Sequence, residues 1–579
     1  MDFRVDNPNE GSTLSLNEHP YEGHPGITLV DIDITFPSEV VPKTVDIRFD
    51  FPCIDIYSST FLGSQYDKTI GVTWSMRKTD FRLASGLPMH QLISSSGKNR
   101  MTLSVFDAMT PARLSTGIQE ATARIVGSLE IFTNPVTARS SYHTVLYMDA
   151  RDVRYDEARK DVERYWDTVC GYHSAYTPDT ARRPLYSTWY SFHHDLSVDE
   201  VVKQCALARE YGMESVIVDD GWQFDQPAQG YNRCGDWEPA KGKVPDMKEF
   251  VDRVHALGMK FTLWYSVPFM GTAAKNYERF KTMLLNPSHS KSPCLDPRFP
   301  EVRSFLTETY VKAVKDWGLD GFKLDFIDSF SLSEETPAFD ERWDTISLEE
   351  GVDRLLRDVT DGLRAINPDI LIEFRQRYYG PAVRKYGNMI RVGDCPNDSL
   401  ANHVAGLDLR FALGRSAVHS DMLMWHPDTP VEAAAYQVIT TLYLVPQISV
   451  LLDRIPQSHR DMLAFYLKFW NEHRSTLLDG DLNADNPESL YSQVRSVKDG
   501  EMIAVSYAKP VLSVHGDLRL YHINATDSER LYVRFETDGG NRRLVIRDCT
   551  GAVREDAAFR ATEGIHEFLV PRSGMMEII

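Results

Sequence analysis

At 579 residues the chain is too long for one hydrophobic core, which stops growing near roughly 250–300 residues, so several domains are expected. With 42% hydrophobic, 11% aromatic and 25% charged residues, 34 Gly and 30 Pro, the composition argues against a fibrous, collagenous or largely disordered protein. A net charge of −20 argues against nucleic acid or an anionic membrane surface as the main partner and leaves neutral ligands open.

Cysteines at 53, 170, 205, 234, 294, 395 and 549 are odd in number and form no CxxC pair, so zinc and a redox dithiol are not expected and a reduced compartment is. The sequence MDFRVDNPNEGSTLSL lacks the basic-then-apolar plan of a signal peptide, and no apolar run reaches the roughly 18 residues of a membrane span. A cytoplasmic location is the expectation.

From about 25 to 155, short alternating runs such as ITLVDIDITF, TVDIRFDF, KTIGVTWSM and ARIVGSLEIFT predict an antiparallel β-sandwich, assigned to 1–156. EARKDVERYWDTVCGY opens a helical linker over 157–184. Apolar runs at 185–192, 215–222, 260–267, 321–327, 369–376, 388–394, 416–425 and 448–453 then alternate with amphipathic helical patterns, three of which stop at glycine. Eight such units predict a (β/α)8 TIM barrel over 185–480. Beyond it, MIAVSYAK, LRLYHINAT and RLYVRFET return to alternation, giving a small C-terminal β-sandwich over 481–579.

A barrel of this kind carries its chemistry at the C-terminal ends of its strands. Those ends supply Trp189 and His193, then Asp219-Asp220-Gly221-Trp222, Trp264, Lys323 with Asp325, Glu373 with Arg375, Arg391 with Asp394, and His419 with Asp421. A lone Asp after an apolar run is often a helix cap, but five strands ending in charged groups point to a site. Paired carboxylates in an aromatic-lined cleft suit glycoside hydrolysis, one attacking the anomeric carbon and the other protonating the leaving oxygen.

The stretches VDDGW (218–222), GDWEPAKGKVPD (235–246), LWYSVP (263–268), LDPRFPEVRSFL (295–306), GFKLDF (321–326) and NEHRSTLLDGDL (471–482) resemble the α-galactosidases, or melibiases, of glycoside hydrolase family 36, and family 27 more distantly. The resemblance implies an N-terminal β-supersandwich, a catalytic barrel and a C-terminal sandwich. It makes Asp325 the nucleophile and Lys323, two residues earlier on the same strand face, a ligand of the −1 sugar. Asp219 and Asp220 would grip the 4- and 6-hydroxyls, with Trp189, Trp222 and Trp264 as walls. Arg391 joins the substrate-binding set. RVGDCPND offers Asp394 as the acid/base, with Asp398 as runner-up.

One departure stands out. Where many members carry a Cys-Ser-Gly-Gly-Gly-Arg loop near the sugar's 2-position, this chain has Glu373-Phe374-Arg375-Gln376-Arg377-Tyr378-Tyr379. Arg375 is expected to face the −1 pocket and set selectivity there; the alternative is that it only orients Asp394 or Asp325. His193-His194-Asp195 and His419-Ser420-Asp421 read as hydrogen-bonding groups rather than metal ligands, and Asp236 with Trp237 as the cleft rim or, for Asp236, a turn cap.

The expected activity is therefore a retaining exo-α-galactosidase acting on a carbohydrate without metal or cofactor. The alternatives are an α-N-acetylgalactosaminidase or another sugar specificity, a transglycosylase of the raffinose-synthase type, and an inactive sugar-binding protein. Association into a homo-oligomer is compatible with each.

Overall fold

The structure, a computed structural model, describes residues 2–62, 66–225, 231–288, 291–375, 377–508 and 511–579. Two antiparallel sheets open the chain. One orders Asp2–Asp6, Val45–Pro52, Arg124–Ile131, Ala112–Gln119 and Arg77–Phe81; the other orders Thr13–Pro20, Ile27–Val40, Arg139–Asp149, Asn99–Val105, Met89–Ile93 and Ser58–Thr60. Alternation drives their packing: Val30, Ile32 and Ile34 point inward from one sheet against Val45, Ile47 and Phe49 of the other. The run KTIGVTWSM forms no named strand. It makes a turn in which Val72 bridges Ser75 and Ile118, and the strand begins only at Arg77.

The helix Tyr155–Thr168 buries Ala158, Val162, Tyr165 and Trp166 along one face and leads to the barrel. Eight parallel strands follow: Leu185–Ser187, Ser215–Val218, Lys260–Ser266, Gly321–Asp325, Leu371–Arg375, Met389–Arg391, Ala417–His419 and Gln447–Ile448. Strand eight pairs with strand one, and parallel bridges His419 to Val445 and Leu423 to Ile448 approach closure on the other side. Seven of the eight anticipated runs contain a strand, several of them much shorter than the run; the eighth run, 448–453, meets the strand Gln447–Ile448 only at Ile448. The first run turns helical at Trp189–Phe192.

The amphipathic patterns become the helices Val198–Glu210, Met247–His255, Pro300–Trp317 and Leu348–Arg364. Asp246 caps the second, accepting from the Glu249 N–H at 3.0 Å, while Pro300 starts the third and Gly318, at φ +76°, ends it. Three further helices, Ser399–Arg410, Val431–Ile439 and Gln457–Asp479, complete the outer ring and the exit to the C-terminal domain. That domain pairs a seven-stranded sheet with a three-stranded one around Ala504, Leu520, Val533, Phe535 and Ile546.

The β-domain leans on the barrel mouth. Arg82 donates to Glu349 and to the Asp328 carbonyl, each at 3.0 Å, and the Gly86 N–H donates to the Arg377 carbonyl at 3.1 Å. Gly86 is required there, because at φ +81° a Cβ would lie 2.0 Å from the Asp80 carbonyl oxygen. On the side facing the C-terminal domain, Lys68 and Arg159 both reach the buried Asp408, at 3.1 and 3.0 Å, and Tyr491 donates to the same carboxylate. Loop, linker helix, barrel and C-terminal domain thus share one buried charge cluster.

Candidate active site

Strand four alternates Phe322 and Leu324 with Lys323 and Asp325. Phe322 packs on Tyr310 of the helix behind it, so the charged pair takes the opposite face, toward the barrel interior. The Asp325 carboxylate accepts from Trp264 Nε1 at 3.0 Å, from the Phe326 N–H at 2.8 Å and from Arg375 Nε. Burial pushes its pKa up, but Arg375 and Lys323 outweigh burial and hold it below the usual carboxylate range. Asp325 is an anion with its orientation fixed. Phe326 adopts a left-handed backbone at φ +66°, unusual for a side chain of this size, and this bend brings its N–H back to Asp325.

Lys323 Nζ lies 2.6 Å from Asp219 Oδ2, and that partner overcomes burial to raise the lysine pKa. Asp220 turns the other way, accepting from Gln223 at 2.7 Å and meeting His194 Nε2 at 3.0 Å. Gly221 lets this corner close, since a Cβ there would sit 2.8 Å from the His194 Cα. Trp189 is half-buried at the rim, its ring 4.3 Å from that of His193.

Two expected walls present no open face to the cleft. Trp222 is 0% exposed, donates to the Trp264 carbonyl at 3.0 Å and stacks near Trp237 at 6.2 Å, so it backs the site without a face on the cleft. Trp264 is 1% exposed and spends its indole N–H on Asp325. The aromatic that the sequence reading overlooked is Tyr231, stacked over Trp264 at 6.0 Å and Phe269 at 5.3 Å and edge-on to Phe326 at 4.9 Å. Burial first, then the charges of Asp325, Asp220 and Asp219, raise its pKa. Its only sequence signal was adjacency to the GDWEPAKGKVPD stretch. Tyr378, also overlooked, donates to the Leu324 carbonyl at 2.9 Å beside Asp325.

Arg375 is engaged with Asp325, and its guanidinium sits 4.7 Å over the Phe326 ring, so it orients a carboxylate where a sugar contact was expected. Gln376 lies outside the described residues. Glu373 is fully buried; burial pushes its pKa up to about 7 despite Lys323 and Arg391, and Gln447 donates to it. Arg391 is fully buried as well, so it too is no free sugar ligand. It donates to Asp394 at 2.7 Å and pairs with Asp421.

Asp394 presents a side chain 54% exposed, and its burial penalty is outweighed by Arg391 and Lys323, which hold its pKa far below the ordinary value. Asp398 is otherwise employed: it caps the helix Ser399–Arg410, accepting from the Ala401 N–H at 2.9 Å, and takes a hydrogen bond from Tyr66 at 3.1 Å. Asp421 is buried with Tyr190, Arg391 and the Cys395 N–H as partners, and His419 Nε2 meets the Ala181 carbonyl at 2.8 Å. Asp236 accepts from the Lys275 and Asn276 N–H groups at 2.8 and 3.0 Å, a turn cap. Trp237 is buried behind Trp264.

Arg375 and Asp394 line a cleft of about 700 Å³ whose other wall is the β-domain, through Phe61, Lys78, Thr79 and Gly86. A larger cavity of about 940 Å³ opens near the start of strand seven, beside Arg182, Arg410 and Asp479, and holds none of the residues above.

Residues 167–327 match the melibiase family model. The melibiase match ends at Ile327, just beyond Asp325, so it takes in Asp219, Asp220 and Lys323 but not Arg375, Arg391 or Asp394. The α-galactosidase Mel36A of Lactobacillus acidophilus is 29% identical over 157 residues, which are 26% of this chain and 20% of that relative. The chain thus aligns in sequence with about a fifth of that melibiase relative's length. In fold the likeness spans the whole of this chain: the galactosidase domain of AgaSK superposes with a TM-score of 0.68 at 13% identity, covering 100% of this chain and 86% of that one. The GH36 α-galactosidase AgaA of Geobacillus stearothermophilus gives 0.68 at 14% identity, covering 98% and 82%.

Proposed function

We propose that the protein is a retaining exo-α-galactosidase working by double displacement. The observation that carries this reading is the pair of carboxylates of different character. Asp325 is enclosed, anionic and fixed by Trp264, Phe326 and Arg375, as a nucleophile needs; Asp394 opens to the cleft from strand six, tethered by Arg391. Asp325 attacks the anomeric carbon as the glycosidic C–O bond breaks and the leaving oxygen takes a proton from Asp394, giving a β-linked glycosyl-enzyme. Asp394, then a carboxylate, takes a proton from water, whose oxygen displaces Asp325 and restores the α configuration. The Lys323–Asp219 pair and Asp220 supply donors and acceptors for the sugar hydroxyls, and Tyr231 with Trp189 supplies the aromatic faces.

AgaA variants have been crystallised with raffinose and with stachyose, which supports an α-galactoside as substrate here. The chemistry needs no metal or cofactor. The cysteines, none of them paired, support a cytoplasmic location as part of the same proposal.

Arg391 and Lys323 hold Asp394 below the usual carboxylate range against its burial, so Asp394 must gain a proton before it acts as the acid. Its role is separable by leaving group. Asp394→Ala is expected to slow hydrolysis of melibiose by roughly 10²–10⁴-fold while affecting release of a highly acidic phenol far less, and added azide should give α-galactosyl azide. Equal losses on both substrates would remove Asp394 from the acid/base role.

A further inference from the structure

The cleft beyond Asp394 has a charge pattern that galactoside hydrolysis does not require. Its lining carries five charged side chains: Lys78, Asp80, Arg375, Arg377 and Asp394. Three are committed. Arg375 pairs with Asp325, Asp394 with Arg391, and Asp80 accepts from Arg113 at 2.7 Å. Lys78 and Arg377 are exposed, and among the described residues neither side chain makes a hydrogen bond or ion pair. Arg377 acts on the half-buried Asp328 only at longer range. In a chain of net charge −20, two unpaired cations facing one cleft oppose the overall field.

Both are carried on fixed frames. Lys78 belongs to the strand Arg77–Phe81, paired opposite Ser115, and the Arg377 carbonyl accepts from the Gly86 N–H at 3.1 Å, which ties the two walls together. We propose that Lys78 and Arg377 form a leaving-group subsite for an anionic aglycone, a sugar bearing a carboxylate or sulfate, with Phe61 against its ring face. The inference rests on the galactosidase reading, because it takes Asp394 as the group that protonates the leaving oxygen and so places whatever lies past it on the aglycone side. A guanidinium and an ammonium lining one cleft can give an oxyanion charge-assisted hydrogen bonds that a neutral glucose cannot use.

The test compares kcat/KM for three α-1,6-type or matched α-galactosides whose aglycones are glucose, glucuronic acid and glucose sulfate, with 4-nitrophenyl α-galactoside as reference. The wild-type protein should favour at least one acidic aglycone over glucose by roughly tenfold or more at low salt, and the preference should shrink as ionic strength rises. Lys78→Met with Arg377→Gln should abolish the preference while leaving the glucose substrate within about twofold, and Arg377→Glu should reverse it. Which acidic substrate is favoured distinguishes carboxylate from sulfate. Absence of any acidic preference in the wild type, or equal losses on neutral and acidic substrates in the variants, overturns the proposal with the galactosidase reading intact. No turnover of the reference galactoside overturns both.

Discussion

Asp325→Ala is expected to lower kcat on α-galactosides by on the order of 10⁴-fold or more, because the covalent route has no second nucleophile at that position. Azide should restore turnover only as β-galactosyl azide, the inverted product, since it would attack from the face Asp325 has vacated. Retention of more than about a tenth of the wild-type rate would mean that another group attacks. The loss must be separated from unfolding, because Arg375 and Lys323 face Asp325 and removal of the anion leaves two buried cations less well compensated. Thermal melts of Asp325→Ala and of the isosteric Asp325→Asn, read beside activity, make that separation. The depressed carboxylate has a further consequence. It stabilises the fold above its unfolded pKa of about 4, and the contribution is lost as pH falls through the lower folded value; both variants should therefore lose less stability than the wild type on acidification.

Arg375→Ala is expected to reduce kcat/KM by roughly 10–100-fold, and by the same factor for an α-galactoside and its 2-acetamido counterpart. The reason is geometric: the guanidinium is spent on Asp325 and on the Phe326 ring, so its removal disturbs the nucleophile whatever the 2-substituent. The pH profile offers a second readout. Without Arg375, burial dominates at Asp325 and its pKa rises; since attack needs the anion, the acid limb of kcat/KM should move to higher pH, and Arg375→Lys should move it less. A loss confined to one of the two sugars, with an unshifted acid limb, would return Arg375 to the 2-position.

The barrel was legible because parallel strands buried on both faces read as continuous apolar runs. Their lengths were not, since functional aromatic residues extend the runs past the last ladder hydrogen bond, as Trp189–Phe192 does. The helix Ser399–Arg410 gave no amphipathic signal, being buried over nine consecutive positions, Ala401 to Leu409. With the helix unseen, its cap Asp398 looked like a free carboxylate. Lys323, Asp325, Asp219 and Asp220 were legible as the C-terminal ends of apolar runs, with alternation explaining the Lys323–Asp325 spacing and the resemblance supplying their roles. What Arg375 and Arg391 bind could not follow from either rule, because it depends on which neighbouring strand each long side chain crosses to: Asp325 on strand four for one, Asp394 and Asp421 beyond strand six for the other. Trp222 illustrates the same limit, an indole near a strand end that turns back under the site and packs against Trp317.

The central claim is retention at an α-galactosyl centre, and proton NMR of the first turnovers of 4-nitrophenyl α-galactoside tests it most directly, before mutarotation mixes the anomers. With retention, α-galactose appears first and β-galactose only later, on the mutarotation timescale. β-Galactose as the first product, or no galactose release by protein that hydrolyses a different α-glycoside, would contradict it.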